Sequence, residues 1–338
     1  MIYITGANGW LGLNLIEVIK SGKAKEWGLN DQNIRAFILK GTSVKKIKRI
    51  SNDIEIFEGD LSDRKDIDSF LKDSKDSYLF HTAGIIHPKR VKEFYNINRD
   101  NTKKLLEVAG EAKVKKVIIV SSNSPCGCNP NNNHLFNEDS QYNPYMNYGK
   151  SKMEMEIIAK RLFNEGITNS VIIRAPWFYG KFQPARQKLF FKMIENGSVP
   201  LVGDGNNVRS MVFLENLCQG MILAATSNIS DGKTYWIADK KSYSMNEIID
   251  TIEKILIYDF NIQCKKSRIK LPSFIGDFAE LMDYMIQLVG FYNQKIHVLS
   301  EMNKNIAASI EKAQQELNYQ PKYNLKTGMK ICIEDLDS

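Results

Sequence analysis

The 338-residue chain lacks any apolar run of about 18 residues, the length that a membrane-crossing helix needs. It is poor in cysteine. The five are scattered, and Cys126 and Cys128 sit too close together for a disulfide framework. A reduced, cytoplasmic protein is therefore expected. The amino-terminal stretch has neither the basic region nor the small-residue cleavage site of a secretory leader. No group of His, Cys and Asp has metal-ligand spacing, so no metal is expected. Two small lysine clusters, Lys45, Lys46, Lys48 and Lys113, Lys115, Lys116, have no aromatic residues interleaved, which argues against a nucleic-acid groove. The net charge of +7 reads as a solvated basic surface that would also suit an anionic cofactor or substrate. Internal repeats and low-complexity linkers are absent.

What is present is enough apolar residue, 43%, to bury a full core in one large domain or two unequal lobes. The first half alternates β-branched runs with longer polar–apolar stretches. Strands are predicted at Ile2–Thr5, Ile34–Leu39, Ile54–Glu58, Tyr78–Thr82, Val117–Ser121 and Val171–Arg174. Helices are predicted at Leu11–Ile19, Val91–Ala109 and Tyr148–Phe163. Strands separated by helices of that length imply an α/β fold with a doubly wound parallel sheet covered on both faces. Residues 1–176 read as a dinucleotide-binding domain to which 211–240 returns. Residues 177–338 read as a smaller substrate-binding lobe over the carboxyl edge of the sheet. That lobe should hold a helix at Leu189–Asn196 and a strand at Met211–Leu214.

The first strand runs into "TGANGWLG", with Gly6, Gly9 and Gly12 at the turn and the helix start. Such a turn lets backbone amides approach a diphosphate and aims a helix N-terminus at it. Asn8, Trp10 and Leu11 belong to the same turn. An acid at the end of the second strand would select NAD, but "RAFILKGTS" ends in Lys40. A cation there favours the 2′-phosphate of NADP over NAD, unless Lys40 points into solvent. After the third strand, Asp60 and Leu61 either flank the adenine or cap the next helix.

Only one of the tyrosines, Tyr148, has a lysine four residues on, Lys152. Spacing alone leaves a catalytic pair and a solvated helix face both open. Taken with "HTAG" (81–84), "VSSNSPCG", "YNIN…NT" and "YGKSK", the glycine turn resembles the extended short-chain dehydrogenase/reductase family, which includes nucleotide-sugar epimerases and dehydratases. The resemblance covers the chain from Met1 to about Tyr323. It implies Tyr148 as general acid/base, Lys152 as its partner and Ser122, five before Gly127, as the hydroxyl that binds the substrate oxygen. Ser121 could take that place instead. The resemblance implies Asn98 as a fourth member through a bound water, and Thr82, Ala83, Gly84 and Pro176 beside the cofactor. A phenol titrating near ~10 needs about 4 kcal/mol of preference for the phenolate to act near pH ~7. An ammonium about 4 Å away at an effective dielectric near 20 supplies roughly that.

Several positions depart from the family pattern. Asn123 and Ser124 stand where sugar dehydratases of the family carry an acidic pair, which disfavours a 4,6-dehydratase. Cys126 replaces a tyrosine and reads as a small buried thiol or a second acid/base. Catalysis by His81 or His87 is not expected. Arg209, after "GDGNN", is placed to hold the diphosphate of a nucleotide sugar, or to pair with Glu215. Trp177 replaces an asparagine and could stack on a substrate ring. Phe274, Phe278, Leu281, Met285 and Val289 repeat at helical spacing. They suit packing against the small lobe, a lid over an apolar substrate, or membrane contact, against which Asp277, Glu280 and Asp283 would act on an anionic bilayer.

The expected activity is an NAD(P)-dependent oxidation or reduction of a secondary alcohol, on a nucleotide-linked sugar, as epimerase or reductase. A 3β-hydroxysteroid- or dihydroflavonol-type dehydrogenase for a hydrophobic alcohol is the rival. A cofactor-sensing binding protein without turnover is the third reading. A homodimer would form through the helices carrying Asn98 and Tyr148, using Leu105, Val108, Ala112 and Met153 to Ile158, although core packing explains these equally well.

Overall fold

A computed structural model describes residues 1–336. Its strands in chain order are β1 (Ile2–Thr5), β2 (Ile34–Leu39), β3 (Glu55–Gly59), β4 (Tyr78–His81), β5 (Lys116–Ser122) and β6 (Ser170–Ala175). These are followed by β7 (Trp177–Tyr179), β8 (Pro200–Val202), β9 (Val208–Arg209), β10 (Met211–Phe213), β11 (Thr234–Trp236), β12 (Tyr243–Ser244) and β13 (Ile269–Leu271). Seven of them make one parallel sheet in the order β11-β6-β5-β4-β1-β2-β3. The expected doubly wound sheet is therefore present. Its chain order reverses between β1 and β4, and sheets of this kind bind ligands in the crevice at the carboxyl ends of the strands beside that point.

Each face of the sheet is covered, which is why the strands read as nearly continuous apolar runs. One side packs Leu13, Ile16, Leu217 and Met221 from the helices Trp10–Lys20 and Leu214–Thr226. The other packs Leu105, Leu106, Met155 and Ala159 from the helices Asn101–Glu111 and Met146–Asn164. Leu105 and Val108, offered above as dimer contacts, are thus taken up by the molecule's own core.

The stretch predicted as one helix from Val91 is continuous to Glu111 but contains a π-helical turn at Tyr95–Asp100. After β6 the chain builds a separate core from Phe191, Ile248, Ile252 and Met329 on the helices Ala185–Glu195, Met245–Tyr258 and Leu325–Glu334. Three short strand pairs edge this region: β7 with β10, β8 with β13 and β9 with β12.

The helix Phe274–Leu288 overturns the packing expectation. Its apolar residues Phe274, Phe278, Leu281 and Met285 are exposed, while Gly276, Ala279, Asp283 and Gln287 are buried. Polar bonds rather than apolar burial hold it. Asp283 Oδ2 accepts from Gln287 Nε2 at 2.9 Å and is 2.7 Å from His297 Nδ1. Gln287 Oε1 accepts from the Asn147 amide N–H and side chain at 3.1 and 2.9 Å.

Candidate active site

The glycine turn opens the crevice. Gly6 has φ +67°, and a Cβ there would lie 2.6 Å from the Ala83 nitrogen. A Cβ at Gly12 would fall 2.7 Å from the Ala7 Cα. Only glycine lets strand, turn and helix close this tightly. Gly9 caps the helix Trp10–Lys20 with no side-chain hydrogen bond to its first turn. The free N–H groups of that turn, with the helix dipole behind them, are suited to a diphosphate. Asn8 Nδ2 donates to the Ser43 carbonyl at 2.7 Å, and Trp10 Nε1 to the Lys181 carbonyl at 2.6 Å. Leu11 points into the core, so only its backbone faces the crevice.

At the other end of the crevice, Lys40 is exposed and pairs with Asp66 at 2.9 Å. Glu58 brings a carboxylate to the same corner, where it accepts from the Gly41 N–H at 3.2 Å. Asp60 accepts from the Ser62 N–H at 2.8 Å, while Asp63 caps the following helix. Leu61 packs against the core.

The candidate catalytic residues lie where β4, β5 and the helix Met146–Asn164 converge. Ser121 and Ser122 point to opposite sides of β5, and their partners differ. The Ser121 hydroxyl donates to Glu156 Oε1 at 2.6 Å in the core. The Ser122 hydroxyl is the neighbour that favours ionisation of the Tyr148 phenol. Burial is the larger effect on that phenol, pushing it up to about 12, and Glu301 adds to the rise. Lys152 Nζ donates to the Val120 carbonyl at 3.0 Å. Burial pulls its amine down to about 8, against the pull of Glu156. Among the described residues Tyr148 and Lys152 share no direct hydrogen bond. Desolvation thus drives both groups toward their neutral forms. The expected ammonium-lowered phenol is not the balance found in the protein alone.

Gly84 closes the cluster, since a Cβ there would lie 3.1 Å from Asn98 Oδ1 and 3.5 Å from Lys152 Nζ. Asn98 is fully buried. Its Oδ1 accepts from the Ile85 N–H at 2.8 Å, and its amide donates to the Ile85 carbonyl at 3.0 Å and to Ser151 at 3.3 Å. Its side chain clamps the loop after Gly84. Thr82 is tied to the Thr5 carbonyl at 2.7 Å, and Pro176 is buried at the end of β6. His81 is wedged between Thr5 and Thr102 at 2.7 and 2.8 Å, and burial drops it to about 3, so it is a neutral staple. His87 meets the Tyr292 hydroxyl at 2.8 Å.

A cleft of about 770 Å³ opens between the loop holding Gly127 and Cys128 and the turn at Tyr145 and Asn147, just before Tyr148. Tyr284 and Leu288 form its apolar wall, Lys150 brings positive charge, and Lys304 and Glu280 line it as an ion pair at 2.6 Å. The Cys128 thiol, pushed up to about 12 by burial and by Glu301, also feels Arg209 and Lys304, although Arg209 does not itself line the cleft. Arg209 hydrogen-bonds the Glu301 carbonyl rather than Glu215, which pairs with Lys23. Asn123 accepts from Ser122 at 3.3 Å. Trp177 lies 5.9 Å from the Phe190 ring, half-buried against the second core. Cys126 is buried beside Phe136 and Trp236.

Residues missed by sequence reasoning are Glu156, Glu58 and the group Asp283, His297 and Glu301. The last had a readable sign: Gly276, Ala279, Asp283 and Gln287 form a small, polar stripe along an otherwise apolar helix.

A model of the NAD dependent epimerase/dehydratase family matches residues 2–238. The chain belongs to this family. It is an enzyme of the extended short-chain dehydrogenase/reductase type, as the resemblance implied, and the family is NAD-dependent. The protein y4nL of Sinorhizobium fredii is 41% identical over 337 residues, 99% of this chain and 94% of that one. N-acetyl-alpha-D-glucosaminyl-diphospho-ditrans,octacis-undecaprenol 4-epimerase of Escherichia coli O157:H7 is 26% identical over 59% of this chain and 60% of its own length. Sterol-4-alpha-carboxylate 3-dehydrogenase ERG26 of Candida albicans is 23% identical over 98% of this chain and 96% of that one. Among solved structures, UDP-glucose 4-epimerase of Thermotoga maritima has the same fold, with a TM-score of 0.76 at 19% identity over 99% of this chain and 98% of that one.

Proposed function

We propose that the protein oxidises and re-reduces a secondary alcohol on a diphosphate-linked sugar, using Tyr148, Lys152 and Ser122 as its proton relay. The observation that carries this reading is the division of labour on β5. Glu156 holds Ser121, which leaves Ser122 as the hydroxyl beside the buried Tyr148 phenol. The dinucleotide, when bound, accepts and returns the hydride. Tyr148 takes the proton from the substrate hydroxyl and gives it back to the carbonyl. Ser122 orients that oxygen by hydrogen bonding. Lys152, in its charged form, stabilises the phenolate and is placed beside Gly84 to hold ribose hydroxyls. Bringing a phenol from about 12 to about 7 takes about 7 kcal/mol, of which an ammonium about 4 Å away offers about 4. The Ser122 hydrogen bond is already contained in the value of about 12, so the rest falls to the positive charge of the oxidised ring.

For the cofactor, two features favour NAD over NADP, against the expectation from Lys40. Asp66 neutralises the Lys40 ammonium, and Glu58 supplies a carboxylate at Gly41, where ribose hydroxyls are held in such sheets. For the substrate, Lys150 on the cleft and Arg209 near Cys128 suit a diphosphate, whereas Lys304 is already paired with Asp277 and Glu280. A nucleotide-linked sugar and the lipid-linked sugar named for the Escherichia coli relative share that group. A hydrophobic alcohol is the second reading, supported by the apolar wall of Tyr284 and Leu288.

A Tyr148→Phe variant tests the relay. It should bind NAD as the parent does and lose turnover by about 10²- to 10⁴-fold; undiminished turnover would refute the assignment. Thermal-shift titration with UDP-, GDP-, CDP- and dTDP-sugars separates the substrate readings, since stabilisation by none of them favours a lipid-linked or hydrophobic alcohol.

A further inference from the structure

We infer that the helix Phe274–Leu288 is a membrane-docking element that lays its outer face on an anionic phospholipid surface. The helix is amphipathic the wrong way round for a soluble protein. Phe278, Met285 and the following Val289 are 61%, 53% and 70% exposed, and Phe274, Leu281 and Leu288 continue the same stripe. Its inward stripe is Gly276, Ala279, Asp283 and Gln287. Contiguous exposed apolar surface of this kind marks an interaction site. At about 1.5 Å per residue the stripe is far too short to cross a bilayer, but it has the form of a helix lying in the interface.

Charge decides for lipid over another protein. The acids that seemed to oppose a bilayer are compensated down to one negative charge, since two of them share a single lysine. Asp283 is buried on His297, and Asp277 and Glu280 both pair with Lys304 at 3.2 and 2.6 Å. Cations flank the stripe instead. Lys265, Lys266 and Lys270 are exposed before its start, next to exposed Ile269. At its other end Phe291 pairs with Arg90 across an isolated bridge, and the guanidinium lies 3.8 Å over the Phe291 ring, with exposed Lys89 alongside and Lys295 further on. Apolar side chains between basic ends suit insertion beneath a layer of phosphate headgroups. The position fits a use: Tyr284 and Leu288, on the margin of the stripe, also wall the cleft beside Tyr148. A docked helix would open that cleft toward the membrane, so a diphosphate sugar on a lipid carrier could enter without leaving the bilayer. This deepens the proposed activity and, for the substrate alone, rests on it.

Co-sedimentation of the full chain with vesicles of phosphatidylcholine, with and without phosphatidylglycerol, tests the docking. The parent should pellet with phosphatidylglycerol vesicles and be released by added salt. Phe278→Asp with Met285→Asp should weaken partitioning roughly tenfold or more, while stabilisation by NAD stays as in the parent. Lys270→Glu with Arg90→Glu should weaken binding to the anionic vesicles alone. Two results overturn the inference. One is a parent that stays in the supernatant with both vesicles. The other is a parent that is dimeric by light scattering and that the Phe278/Met285 variant renders monomeric, because a second copy then covers the face. Tyr148→Phe should still pellet. Loss of turnover with docking retained separates the docking from the chemistry, and each can fail alone.

Discussion

Glu156 Oε2 and Arg174 Nη2 lie 2.8 Å apart with 0% and 1% of their side chains exposed, an ion pair sealed between the reactive helix and β6. Tyr142 donates to the same carboxylate oxygen at 2.8 Å, and the Trp236 ring lies against the guanidinium. Such a pair is expensive to break because the remaining charge has no water to turn to. Glu156→Gln should lower stability by about 3–5 kcal/mol, read as a fall in thermal midpoint. Replacing both partners with apolar residues should recover much of the loss. A Glu156→Gln protein as stable as the parent would show that the pair carries no such strain.

The two adjacent serines should fail in different ways. Ser122→Ala should fold normally and lose turnover by roughly 10²-fold, with NAD affinity kept. Ser121→Ala removes a donor from a buried carboxylate and should cost about 1–3 kcal/mol of stability with smaller effect on turnover per folded molecule. Identical behaviour of the two variants would contradict the division on β5. Denaturation and steady-state rates together decide it.

Lys152 gives a pH signature independent of substrate. Its amine is held at about 8, below its usual 10.5, because burial penalises the charged form. That penalty is fully present below about pH 8 and vanishes as pH rises toward 10.5, where the folded chain binds fewer protons than the unfolded one. The difference is worth about 3 kcal/mol, less about 1 for the hydrogen bond to the Val120 carbonyl. Lys152→Met should therefore melt higher than the parent at pH 7, and the gain should disappear near pH 10. A gap in melting temperature that does not change with pH would count against a desolvated amine.

Much of the sheet was legible because its strands are apolar runs with polar or glycine boundaries. Ile2–Thr5 and Ile34–Leu39 are observed as read. The π turn at Tyr95–Asp100 was not, since one extra residue in a turn leaves the helical pattern on either side intact. Periodicity revealed the stripe Phe274 to Val289 but not which way it faces. Spacing reports that a helix has two sides and says nothing about which one meets the protein. The candidate site divides in the same manner. Tyr148, Lys152 and the glycine turn lie within short contiguous motifs. The choice between Ser121 and Ser122 depends on Glu156, on a different element, and the state of Lys40 depends on Asp66, across a loop. Such partners meet only through tertiary structure.

The bond from Asn147 to Gln287 joins the outward-facing helix to the residue immediately before the reactive phenol. A single peptide separates that grip from Tyr148. The same bonds tie Gln287 to the first turn of the helix Met146–Asn164. A surface that seats the stripe would thus bear on the backbone one residue from the Tyr148 phenol.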